Sequence, residues 1–274
     1  MNEINDYIIE NGVLIKYVGK SRGVALPEGI REIGDGAFAR CENLLVVNIP
    51  EGVVKIGNHA FKGCVNLFEV RFPETLTHIG IGAFWCCNKL FKIRGLKSIK
   101  KIASYTFFCC PNLREIYLPD GVTSVGNDAF MFCHRLKRIR IPKSLTHIAD
   151  EAFFGCSGVE FIDVDENNEN YKTIDGNLYS KDGKTLILCA IANLGEAFTV
   201  PNGVEVIGKG AFYHSPELNY IVLSRSVKVI DKGAFNLCDK LVKVLYEGTK
   251  EEFGNIEIAN DNTRFVEATK IFLR

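Results

Sequence analysis

Six cysteines recur at an unbroken interval of 23 residues: Cys41, Cys64, Cys87, Cys110, Cys133 and Cys156. Cys238 rejoins the series after Ser215 has taken the intervening slot. Thiolates bind metals, but a metal site needs ligands clustered at short spacings such as C-x-x-C. The long interval makes a ladder instead, and a ladder of small buried apolar side chains is expected. Adjacent strands lie about 5 Å apart, so oxidation between rungs is geometrically open. Cys86 and Cys109 fall outside that register and are expected to be more exposed. Gly19-Lys20-Ser21 and Gly183-Lys184-Thr185 imitate the end of a phosphate-binding loop. The full G-x-x-x-x-G-K pattern needs an earlier glycine, and Leu14 and Leu178 stand in those slots. His78 and His147 share one repeat column but sit three units apart, too far for one metal. His59, His134 and His214 have no repeat-matched partner. No G-x-S-x-G or H-E-x-x-H motif occurs, and no acid pair can be placed in a cleft. No catalytic residue, cofactor or metal site is therefore assigned.

The elements that must position these residues are repeats. Ala-Phe recurs at Phe38, Phe61, Phe84, Phe130, Phe153, Phe212 and Phe235, and Thr106-Phe107 fills the missing slot. Every interval is 23 residues except the one of 59 before Phe212, an excess of 36. In one unit, Leu67, Val70 and Phe72 close an alternating, half-buried strand, and Pro73 ends it for want of an N–H. Val53 and Ile56 make a second short apolar contact. Gly57 is expected to permit a sharp turn, and Asn58 to cap a helical turn bearing Ala60, Phe61 and Cys64. No unit buries this apolar set alone, so neighbours must stack into a solenoid.

The run L-x-x-[IV]-x-[IL]-P-x-x-[VL]-x-x-I-G-x-x-A-F-x-x-C, seen in Leu113–Pro119 and Val122–Phe130, resembles the BspA-like (Treponema pallidum-type) leucine-rich repeat. The resemblance covers Pro27 to Tyr246. Unit four departs from it, with Leu96 for the proline and Thr106 for the alanine. The resemblance implies a right-handed solenoid, mainly β with short helical turns, carrying a curved parallel sheet on one face. It also implies protein binding or adhesion, often at bacterial or protist cell surfaces. A single domain is expected: an N-terminal hairpin cap over 1–26 turning at Asn11-Gly12, six repeats over 27–164, a hairpin insertion over 165–200 turning at Asp182-Gly183, two repeats over 201–246, and a C-terminal cap over 247–274. Thr249-Lys-Glu-Glu252 fits a capping box, and Ile271-Phe272-Leu273 a last strand.

The 274 residues carry 33 Lys+Arg against 33 Asp+Glu, with 47% hydrophobic residues. That mixture excludes a disordered chain. Zero net charge argues against nucleic acid as partner. No apolar run reaches the roughly 18 residues of a membrane span, so no membrane insertion is expected. The N-terminus lacks an export signal, which predicts a cytoplasmic location if the chain is the full gene product; the family analogy implies the cell surface instead.

The strand face is the informative surface. Residues flanking the middle apolar position of each strand should point outward. One column reads Val46, Glu69, Lys92, Glu115, Arg138, Phe161, Tyr220, Lys243. The other reads Asn48, Arg71, Arg94, Tyr117, Arg140, Asp163, Val222, Leu245. Like charges on neighbouring strands are unfavourable, so three arginines in one column require either Glu69 and Glu115 as compensation or an acidic partner. Arg and Tyr are enriched in binding hot spots. The expected ligand-binding residues are Arg71, Lys92, Arg94, Tyr117, Arg138, Arg140, Phe161 and Tyr220, with a protein as partner. A surface adhesin, binding of an anionic polymer through the arginines, and chemistry in the insertion are the alternatives, the last the weakest.

Overall fold

One coil shows how the repeat folds. Strand Lys55–Ile56 buries Ile56 and exposes Lys55, and strand Glu69–Arg71 buries Val70 between two solvent-facing residues, as a period of two requires. Between them the chain makes tight turns rather than the expected helical turn. Lys62 N–H donates to His59 C=O at 3.0 Å and Cys64 N–H to Phe61 C=O at 3.1 Å, while His59 and Gly63 adopt φ of 54° and 72°. Asn58 does not cap its own turn. Its Oδ1 accepts from Ile81 N–H of the next coil at 2.8 Å, and its own N–H donates to Asp35 Oδ1 of the previous one at 2.7 Å. Gly57 serves close approach: a Cβ there would lie 2.7 Å from the Gly34 carbonyl carbon.

The computed structural model describes residues 6–273. The chain forms two units, one ending at Cys156 and the other beginning at Ser157. Both are β-solenoid coils in parallel register.

In the first unit, the hairpin Tyr7–Glu10/Val13–Tyr17 turns at Asn11-Gly12 with φ of 49° and 77°. It starts a sheet that continues in parallel through Glu32–Ile33, Lys55–Ile56 and His78–Ile79. A second sheet runs through Gly23–Ala25, Val46–Asn48, Glu69–Arg71 and Lys92–Arg94. Both sheets stop there. Lys101–Ile102, Ser124–Val125 and His147–Ile148 form a new ladder, as do Glu115–Tyr117 and Arg138–Ile141. The core does not stop. Phe38, Phe61, Phe84, Phe107, Phe130 and Phe153 are all buried, and successive rings stack at 4.8, 5.1, 5.5, 5.4 and 5.3 Å. Burying each ring stabilises the unit by roughly 1.5–3 kcal/mol. Tyr17 caps the column, 5.1 Å from Phe38.

The second unit opens with strand Phe161–Val164 and an antiparallel meander, Tyr171–Ile174, Asn177–Ser180 and Thr185–Leu188. Asp182-Gly183 turns as expected, and Asp175-Gly176, with φ of 50° and 77°, makes a second hairpin. From Thr185 the chain runs in the register of the following coil: Leu186 pairs with Ile207 and Phe198 with Ile221. Cys189 occupies the slot of Phe212, its N–H donating to Ala211 C=O at 3.0 Å. Strands Ala197–Thr199, Tyr220–Leu223, Lys243–Tyr246 and Thr269–Phe272 form one parallel sheet. Thr249 and Glu252 complete the capping box of helix Lys250–Gly254. A helix absent from the sequence reading, Thr263–Glu267, supplies Phe265, which stacks on Phe235 at 4.8 Å and closes the column.

Candidate functional site

The cysteine ladder is buried as expected from Cys64 to Cys156, whereas its first rung, Cys41, is only partly buried; the five buried rungs also have partners. The thiols of Cys64, Cys87, Cys110, Cys133 and Cys156 donate to the carbonyls of Phe38, Phe61, Phe84, Phe107 and Phe130 at 3.0–3.3 Å. Burial pushes the Cys64 and Cys133 thiols up to about 12, which suits inert structural groups. Cys86 and Cys109 are only partly buried. Among the described residues no cluster of His, Cys, Asp and Glu is arranged to hold a metal. Lys184 of the second Gly-Lys pair is bound to Glu205 at 2.8 Å. No helix among the described residues is long and apolar enough to cross a membrane.

On the strand face of the first unit, the register places Arg71 beside Arg94 and Tyr117 beside Arg140. Glu69 resolves the first like-charge pair. Its Oε1 accepts from Arg71 Nε at 3.0 Å and Arg94 Nε at 2.9 Å. Burial raises the Glu69 carboxyl, but the two arginines outweigh it and hold the group below the usual carboxylate range. Glu115 faces Arg138 in register, yet its hydrogen bond goes to the Tyr117 hydroxyl; burial first, then this carboxylate, push the phenol up. Arg138, Arg140 and Lys92 are exposed, and no carboxylate of the described residues pairs with them. Tyr117 is 52% exposed.

The expected unbroken column does not form. Strands Lys92–Arg94 and Glu115–Tyr117 belong to different sheets. The reason lies at Gly95, which takes the slot filled by Phe72, Leu118 and Ile141 in other coils. It sits at φ 88°, and a Cβ would meet the Phe72 carbonyl oxygen at 2.2 Å. Phe72 N–H donates to Arg94 C=O at 2.9 Å, whereas the equivalent bond from Gly95 to Tyr117 is not made. Ile93, the middle residue, is consequently only half-buried where Val47, Val70 and Ile116 are buried. A cavity of about 500 Å³ opens between the strands, lined among others by Phe91, Lys92, Arg94, Arg114, Glu115 and Tyr117. The Arg114 guanidinium lies 5.0 Å from the centre of the Phe91 ring. Sequence reasoning missed Phe91 and Arg114. The available signal was the glycine in an apolar slot, next to the departure at Leu96.

In the second unit, Phe161 is 48% and Tyr220 37% exposed, but they do not share a sheet. Tyr220 stands between Ala197 and Lys243 and lines a second cavity of about 500 Å³ with Glu196, Asn219, Lys240, Val242 and Lys243. Ile162 N–H instead bonds Gly176 C=O at 3.0 Å, and a Cβ on Gly176 would come within 2.9 Å of the Phe161 ring.

Residues 31–160 and 191–269 match the BspA type leucine rich repeat region in six copies. A leucine rich cell surface protein from Faecalibacterium prausnitzii has a similar fold, with a TM-score of 0.65 at 23% identity over 92% of this chain and 95% of that one. A leucine-rich repeat protein from Eubacterium ventriosum gives 0.63 at 24% identity, over 97% and 81% of the two chains. The pneumococcal vaccine antigen PcpA gives 0.58 at 24% identity, over 81% of this chain and 50% of that chain. No curated protein sequence matches.

Proposed function

The chain belongs to the BspA-type leucine-rich repeat family, and on that premise we propose that it is a non-enzymatic protein-binding module that binds through its outward strand face. One observation carries the reading: Arg138 and Arg140 are exposed without a carboxylate partner among the described residues, beside a tyrosine that is 52% exposed. A solenoid face that needed these side chains only for solubility would offset like charges, as Glu69 does by bridging Arg71 and Arg94. Exposed Arg and Tyr side by side are the residue types that dominate binding energy at protein interfaces. Within the face, Arg138, Arg140, Tyr117 and Lys92 are the stronger anchors and Arg71 and Arg94 the weaker, because the latter spend their charge on Glu69. Phe161 and Tyr220 add apolar area in the second unit. The interleaved Glu69 and Glu115 count against a uniformly charged anionic polymer, nucleic acid or acidic glycan, as ligand.

Pull-down from native extract tests the reading, with wild type beside Arg138→Glu/Arg140→Glu/Tyr117→Ala. The variant should lose a protein that wild type captures while keeping its circular dichroism. Equal capture by both would overturn the strand-face assignment. A display role at the cell surface is the second reading, supported by the description of the Faecalibacterium relative as a cell surface protein. Labelling of intact cells with a membrane-impermeant amine reagent distinguishes it from a cytoplasmic location, since only a displayed chain is modified.

A further inference from the structure

We propose that the cavity between strands Lys92–Arg94 and Glu115–Tyr117 is the anchor point of the partner, and that it takes a carboxylate side chain on an extended acidic peptide segment. The proposal rests on the strand-face reading and names the chemistry of the partner at one place on it.

The break in the sheet leaves backbone groups of both strands unpaired. Elsewhere in this unit the residue entering each front strand donates to the coil before it: Phe91 N–H to Phe68 C=O at 2.9 Å, and Lys137 N–H to Arg114 C=O at 2.7 Å. Arg114 N–H has no such bond to Phe91, and Gly95 N–H none to Tyr117. Backbone donors and acceptors therefore line both walls, and a free strand edge is a template for another backbone. A ligand of donors only or acceptors only cannot satisfy such walls; a peptide offers both.

The side chains set the sign of the partner. Lys92 and Arg114 reach the cavity, and neither has a carboxylate partner among the described residues. Arg94 is shared with Glu69, which also holds Arg71, and Glu115 is engaged by Tyr117. Two uncommitted cations thus flank the opening. The Arg114 guanidinium lies over Phe91 at 5.0 Å, which leaves its N–H edge available for a carboxylate. Ile93, half-buried, and Leu96 and Ile116, both buried, give the lining an apolar component. An extended segment in which acidic and apolar residues alternate matches that arrangement, because alternate side chains point to opposite sides of a strand.

Fluorescence anisotropy tests the proposal on the full chain. The probe is a labelled, end-blocked peptide of four Glu-Val pairs, run against the corresponding Lys-Val peptide and a labelled galacturonate oligomer. The Glu-Val peptide should bind, the Lys-Val peptide should not, and Lys92→Glu/Arg114→Glu should weaken binding by about tenfold or more. Both positions are exposed, so folding should be unaffected; Lys92→Gln/Arg114→Gln removes the charge without adding repulsion and should weaken binding in the same direction. Absence of Glu-Val binding, or equal binding by both charge variants and wild type, overturns the cavity assignment. Stronger binding of the galacturonate oligomer overturns the peptide in favour of an acidic glycan. Weakening by Arg138→Glu/Arg140→Glu alone overturns the cavity while leaving the strand-face reading standing, and failure of the pull-down variant above removes that reading separately.

Discussion

Two neighbouring steps of the first unit share their core and their turns but differ in their strand pairing. From the Phe107 coil to the Phe130 coil, strand pairs form on both sheets: Lys101 with Ser124, Ile116 with Ile139, Tyr117 with Arg140. From the Phe84 coil to the Phe107 coil neither sheet is continuous. The rings nevertheless stack almost identically, at 5.5 Å and 12° against 5.4 Å and 15°. The turn side also persists, with Phe84 N–H to Thr106 C=O at 2.9 Å and Cys86 N–H to Phe108 C=O at 2.9 Å. The phenylalanine column and the turns thus hold adjacent coils together without the strand ladders. The ladder is a second, separable layer, and the place where it is missing is where a cavity opens beside unpaired cations. The methyl of Ala103 does not by itself account for the break between His78–Ile79 and Lys101–Ile102. Ala149 carries the same methyl in the same slot as Ala103, yet its N–H still donates to Val125 C=O at 2.9 Å.

The largest expected effect tests how much the column carries. Phe107→Ala and Phe130→Ala should each cost about 3–5 kcal/mol, but with different consequences. At the Phe84–Phe107 step the turn bonds have no strand ladder behind them, so the variant should lose cooperativity. Trp85 reports on that step directly, since its ring stacks on Tyr105 at 5.3 Å and lies 4.9 Å from Phe108. In Phe107→Ala the Trp85 fluorescence transition should precede the circular dichroism transition in urea; in Phe130→Ala the two should coincide. Coincident transitions in both would show that the missing ladder does not weaken the step. A smaller effect is expected at the glycine. Gly95→Ala places a methyl against the Phe72 carbonyl at a φ that disfavours it, and should cost at least about 1 kcal/mol by urea unfolding. A stabilised variant would mean that the break does not depend on Gly95.

The difference between these steps marks where the sequence was legible. Strict repetition exposed the solenoid, because each coil buries the same slots and a single period betrays all of them. The Asn11-Gly12 hairpin and the Thr249 capping box were readable for a local reason: their backbone geometry is dictated by a few residues. The cavity was not. It arises from an absent side chain at Gly95, and its walls, Phe91 and Arg114, occupy positions that in other coils are merely surface. The pairing of Glu69 with two arginines was foreseen as compensation, while Glu115 went to a neighbouring hydroxyl, a choice of rotamer that spacing does not encode. Phe265 escaped notice because the last coil reaches the phenylalanine slot by a helix with a different interval.

Hydrogen exchange sharpens the comparison without mutation. Arg114 N–H faces the opened side, whereas Phe91 N–H and Lys137 N–H are bonded to the preceding coil. Arg114 should therefore exchange faster than either, by about tenfold or more if the bonded amides open only sub-globally. Equal protection would indicate that the strands close in solution.

The smallest effect concerns the ion pairs that distinguish the two halves of the strand face. Glu69 is held below the usual carboxylate range by Arg71 and Arg94 against the opposing effect of burial. A carboxyl depressed in the folded state contributes stability that is present above its unfolded-state pKa and is lost as pH falls through the folded-state pKa. Glu69→Gln should thus lower stability near neutral pH by less than about 1 kcal/mol, since both arginines are largely exposed. The difference from wild type should shrink as pH is lowered through the acid range, and salt should reduce it at neutral pH. Arg140→Gln, whose guanidinium has no carboxylate partner among the described residues, should show neither dependence. If Arg140→Gln loses stability with the same pH profile, the division of the face into neutralised and free arginines is wrong, and with it the ranking of Arg138 and Arg140 above Arg71 and Arg94 as binding anchors.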